Sequence, residues 1–151
     1  MNTLYILLKY LHVLLAIIAV GFNATYAIWI TRAARQPEHL SYTLRGIKFL
    51  DDRFANPGYA LLLVTGLAMV ATGSWPLTTF WIDAALVLYI GILILGLGFY
   101  TPALRRQIAE LETHGSGSPE YQSLARRSTV VGIATLILVL LIVFLMVVKP
   151  G

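Results

Sequence analysis

Four apolar blocks, each long enough to cross a bilayer, constrain this chain more than any other feature. They run over about 4–30, 57–74, 81–101 and 128–148, and a helix needs roughly 20 apolar residues to traverse the hydrocarbon. Lipid offers no partner to an open backbone N–H or C=O, so each block is predicted to be a helix. Only 12% of the residues are charged, whereas water-soluble domains carry about 25%. The predicted fold class is therefore all-α: one membrane domain over 1–151, an antiparallel four-helix bundle in the lipid bilayer. The first block is longer than the ~7–15 residues of a signal-peptide core and lacks a basic leader. It runs into Arg32 and Arg35 as a stop-transfer segment does, so it reads as a retained span.

The net charge of +4 is not a nucleic-acid footprint. Nine of the eleven basic residues fall in the first and third loops, while the second, "WPLTTF", has none. Basic loops remain on the cytoplasmic side, which predicts loops 1 and 3 inside and both termini outside. Trp75, Phe80 and Trp81 then mark the outer interface. With no cysteine in the chain, disulfides, thiolate chemistry and Cys-ligated metals are excluded.

The basic loops carry their own pattern. In "SYTLRGIKFLDDRF" (41–54), Leu44, Ile47, Leu50 and Phe54 recur at helical spacing, predicting a short amphipathic helix on the inner interface. Asp51 and Asp52 read either as solvated charges of that helix or as a proton-handling pair. Asn56 and Pro57 are expected to cap and open the second span. Helix three is predicted to continue past Pro102 and Ser118-Pro119 to open the next helix, giving a cytoplasmic helical hairpin over about 103–127.

The candidate chemistry lies on one stripe of the first span. Tyr5, Lys9, His12, Ala16, Ala19, Asn23 and Tyr26 share a face by the 3.6-residue period. Ionisable groups inside a membrane are costly and mark function by default. Lys9, His12 and Asp83 are expected to approach one another in the outer half, with Tyr5 nearby. Each also has a plain reading: Lys9 snorkelling to headgroups, Asp83 favoured by a helix N-terminus, His12 hydrogen-bonded in packing. His39 and His114 lie in the loops, so His12 has no second imidazole for a zinc or di-iron site. Haem remains compatible, because the porphyrin supplies four nitrogens and one imidazole suffices. His12 is then the candidate metal (haem iron) ligand, with Lys9, Asn23 and Tyr26 as candidate cofactor-binding residues. Met69 is a possible soft partner.

The stretches "LKYLHVLLAIIAVGF", "FANPGYALLLVTGLAM" and "SLARRSTVVGIATLILVLLIVFLMVV" resemble the four-span core of the HemJ and CopD-like membrane proteins. They are most similar to the bacterial predicted integral membrane proteins called domain of unknown function 2269. HemJ is a protoporphyrinogen oxidase associated with haem b. The resemblance implies a multi-pass protein of the bacterial inner (cytoplasmic) membrane, in which His12 matches the first-span histidine and Pro57-Gly58 the opening of span two. Trp81 matches a tryptophan of that pattern, but Ala85 stands about where its functional lysine falls, so the oxidase activity is not carried over. The function expected is haem- or redox-associated. The alternatives are an accessory subunit of a larger membrane complex, a homo-oligomer among them, and a small transporter. Whether the chain is an enzyme stays open.

Overall fold

The structure is a computed structural model that describes residues 3–73 and 75–150. Every regular element among them is helical: α1 (Thr3–Ala33), α2 (Pro37–Leu50), α3 (Asn56–Thr72), α4 (Phe80–Leu93), α5 (Thr101–His114) and α6 (Pro119–Val148). Two π-helical segments, Asp51–Ala55 and Ile94–Tyr100, join α2 to α3 and α4 to α5 without a break. The result is four continuous rods of 31, 36, 35 and 30 residues, all long and apolar enough to cross a membrane. Ser74, the expected end of the second span, lies outside the described residues.

Short turns connect the rods. Gly115 takes a positive φ of 81° after α5, a left-handed conformation that costs glycine nothing. Ser118 accepts the Tyr121 N–H at 3.0 Å, and Pro119 occupies the first turn of α6. Neighbours in sequence are neighbours in space: α1 lies along α2 and α3, and α6 along α4 and α5. Rods two and three approach closely through α2 and α5, whereas α3 and α4 make no close backbone approach among the described residues. The two helix pairs are joined at the basic end through α2 and α5 and within the spans through α1 and α6, where Ala19, Tyr59, Ile92 and Val139 share one core.

Aromatic and basic side chains mark the two ends. At one, the Trp75 and Trp81 rings meet edge-on at 5.9 Å, with the Lys149 ammonium 5.7 and 5.4 Å from their centres. At the other, Arg127 lies 5.8 Å over Phe99. Trp81 and Phe99 are about 27 Å apart at 1.5 Å per residue, close to the ~30 Å of a hydrocarbon core. Beyond Phe99, α2, α5 and the first turns of α6 project past the basic end. There Leu40, Leu44, Ile47, Leu104 and Tyr121 pack with Tyr26, Ala33 and Tyr100 as a water-soluble bundle does. Within the spans, at most 17% of residues are buried, so lipid must cover the remaining apolar surface.

This corrects the expectation of a separate interfacial helix over 41–54. The segment is helical and amphipathic as expected but forms the start of continuous rod two, with Leu40, Leu44 and Ile47 buried against the other rods. Nor does Asn56 cap a new helix. Its N–H bonds to Asp51 O, five residues back, as the Thr101 N–H bonds to Gly96 O. Each bond falls immediately before a proline. Pro57 and Pro102 have no N–H, and their rings crowd the carbonyl four residues back. Widening the preceding turn by one residue lets the rod continue.

Candidate functional site

The polar interior is organised along the seam between α1 and α3. Contacts step down one helix and up the other: Tyr5 meets Gly73, His12 meets Thr65 and Gly66, and Ala19 meets Gly58. Ala19 is fully buried, and a Cβ on Gly58 would lie 3.6 Å from its methyl. Small residues let the backbones approach, as in other membrane helix pairs.

In the half nearer the tryptophans, His12 Nδ1 lies 2.8 Å from Thr65 Oγ1. The Thr65 hydroxyl spends its own proton on Leu61 O at 2.8 Å, with Leu62 O at 3.2 Å. Its oxygen is then free to accept from Nδ1, the tautomer in which Nε2 keeps a lone pair. Nε2 makes no side-chain hydrogen bond among the described residues, and the Leu62 backbone carbonyl lies beside the ring. Gly66 makes room for the ring, since a Cβ there would stand 3.3 Å from His12 Cε1.

Deeper along the seam, Asn23 Nδ2 donates to Tyr59 OH at 2.9 Å and to Ala19 O at 3.2 Å. Tyr89 of α4 donates its hydroxyl to Tyr59 O at 2.7 Å, reaching across the space between α3 and α4. Near the basic end, the first π segment turns Asp51 inward, only 4% exposed. Asn56 Nδ2 donates to its carboxyl at 3.3 Å. The Thr101 hydroxyl stands opposite the carboxyl without closing a hydrogen bond of ordinary geometry. Tyr26, Tyr59 and Tyr100 face it from α1, α3 and the second π segment. The Tyr26 hydroxyl is buried and unpartnered.

The four expected cofactor residues thus do not form one site. His12 and Asn23 are eleven positions apart, about 16 Å along the helix axis. Asn23 and Tyr26 belong with Tyr59 and Asp51. Lys9 is exposed on the outer flank of α1, and Asp83 is exposed on α4; no close backbone approach joins those two helices among the described residues, so Lys9, His12 and Asp83 do not assemble. The Asp51–Asp52 pair also divides: Asp52 is exposed and ion-paired with Lys48, whereas Asp51 is buried. The reading of both as solvated charges therefore fails for Asp51. A signal for this exists in the sequence. Leu40, Leu44, Ile47 and Asp51 fall on one face at helical spacing, so the buried stripe of α2 ends on the carboxyl.

The family described as Predicted integral membrane protein (DUF2269) matches residues 6–150. The chain belongs to that family. No curated protein matches it, and no solved structure does. Family and fold agree on an integral membrane protein with four candidate spans.

Proposed function

We propose that this DUF2269 protein is a haem-associated redox protein of a bacterial inner membrane, with His12 as the axial ligand. One observation supports the reading: His12 Nδ1 lies 2.8 Å from the Thr65 hydroxyl, whose own donation to Leu61 O suits the Nδ1–H tautomer, in which Nε2 could ligate a metal. Histidines that bind metals characteristically donate their other ring N–H in this way. The donor set suits a porphyrin better than a bare ion, because no group of three His, Cys, Asp or Glu occurs among the described residues. A bound haem would supply one-electron exchange. The chain's own part is to orient the imidazole through Thr65 and, through Gly66, to make room for its ring. Lys9, exposed in the headgroup region of the same helix, is placed to meet an anionic group at the membrane surface; Asn23 and Tyr26 lie too deep to touch the same cofactor as His12.

The positive-inside rule supports placing the Arg-rich end in the cytoplasm, with the termini and tryptophans outside. The test of haem binding is a titration of detergent-purified protein with haemin. Saturable binding with a sharp Soret band, lost in His12→Ala, supports the proposal; equal binding by the two proteins contradicts it.

A second reading, an accessory subunit of a larger membrane complex, is favoured by the separation of α3 and α4. That opening suits a helix of a partner subunit. Native-membrane purification that yields a colourless protein with stoichiometric partners would select it.

A further inference from the structure

We infer that Asp51 is a proton-binding site: an aspartic acid held neutral where the first π turn carries it into the bundle, exchanging its proton with water at the basic end. The inference needs no cofactor and stands apart from the haem reading. Asp51 is 4% exposed, and a buried carboxylate is stable only when cations or several donors surround it. No ion pair reaches it. On its own rod, Lys48 is paired with Asp52 and Arg53 is exposed. The titratable groups facing it from the other helices are the neutral phenols Tyr26, Tyr59 and Tyr100. Asn56 Nδ2 donates to it at a long 3.3 Å, with the Thr101 hydroxyl beside it.

The hydroxyls around it supply an independent observation. Thr31, Thr65, Thr72, Thr129 and Thr135 each return their hydroxyl to the carbonyl four residues back, the usual resolution in a helix. Thr101 does not, because the π turn before it displaces that ladder. The Tyr26 hydroxyl, on a residue only 5% exposed, is also without a partner. A carboxylate would only accept from these groups, whereas a carboxylic acid can also donate its one O–H to a hydroxyl oxygen and keep a carbonyl oxygen to accept from Asn56. The O–H forms from solvent hydronium, which leaves as water. The π turn before Pro57, which carries this carboxyl inward among α1, α2 and α3, is the means by which the fold holds this proton.

The test is infrared spectroscopy of the full-length protein in lipid. At neutral pH, where ordinary carboxyls with pKa about 4 are ionised, the wild type should show the C=O stretch of a protonated carboxylic acid. Asp51→Asn should remove it, and Thr101→Val should shift it to higher frequency by removing a hydrogen-bond partner. Carboxyl-13C aspartate provides the same readout without a mutation: the chain has three aspartates, and Asp52 and Asp83 are exposed, so the band that moves with the label belongs to Asp51. Absence of a label-sensitive acid band at neutral pH overturns the proposal. So does its replacement by a carboxylate band when sodium is added at constant pH, which would make the cradle a cation site.

Discussion

His12 Nδ1 and Thr65 Oγ1 lie 2.8 Å apart across the α1–α3 seam, and the Leu61 carbonyl, 2.8 Å from the same hydroxyl, favours donation from the imidazole. Two helices thereby share one decision about where the imidazole proton sits. Replacing Thr65 by Val removes the acceptor but keeps the shape. Outer-shell partners of metal-binding histidines are worth about 10–100-fold in affinity, so Thr65→Val should weaken haemin binding by that order. Thr65→Ser should retain most of it, and the comparison is made by titration at the Soret band.

Gly66 and Gly58 should respond differently to alanine. A methyl on Gly66 would lie 3.3 Å from His12 Cε1, tighter than ordinary contact, whereas on Gly58 it would meet Ala19 at 3.6 Å. Gly66→Ala is expected to displace the imidazole and alter any haem spectrum. Gly58→Ala should leave the spectrum unchanged and gain part of the roughly 0.8–1 kcal/mol helix preference of alanine over glycine. Thermal unfolding in detergent, run beside the spectra, checks both.

Stability beyond the membrane rests on the core at the basic end. Leu44 is fully buried there, and truncating such a leucine costs about 2–5 kcal/mol. Leu44→Ala should lower the unfolding midpoint clearly, while Leu141→Ala, on an exposed face of α6, should barely move it.

Outside the membrane, Arg45 and Ser41 of α2 both bond Glu112 of α5. The Arg45 hydrogen bond, then Ser41, hold the Glu112 carboxyl below the usual carboxylate range. A depressed acid stabilises the fold above its unfolded pKa and loses that contribution as pH falls through its folded one. Hydrogen exchange in α2 and α5 should therefore be slower in the wild type than in Glu112→Gln at neutral pH, and the difference should vanish as the carboxyl protonates under acid. The side chains are exposed, so the effect is small and salt-sensitive.

Much of this architecture is legible in the residues, for reasons that also mark where it stops. Block length requires four spanning helices, and helical period correctly turns Ala19, Asn23 and Tyr26 inward. Lys9 misleads because it lies on the edge of the stripe. At about 100° per residue, it is a quarter-turn from the line through Ala19 and Tyr26, and a long flexible side chain takes the outward side. Pro57 reads as a helix start because proline favours first turns. That a π turn instead carries the rod through it depends on the packing of Leu44, Ile47 and Leu104, which no local pattern records. Asp51 was obscured for the same reason: its burial follows from α2 standing upright against α5. The Thr65 partnership with His12 spans 53 positions and becomes visible only when the register of α1 on α3 is known.

The central claim, that His12 holds a haem, is tested most directly by oxidised and reduced visible spectra of the protein purified gently from its native membrane. The account predicts a Soret band that shifts on reduction and disappears in His12→Ala while the helical content is retained. A folded, colourless wild-type protein whose spectrum is unchanged by added haemin would contradict it.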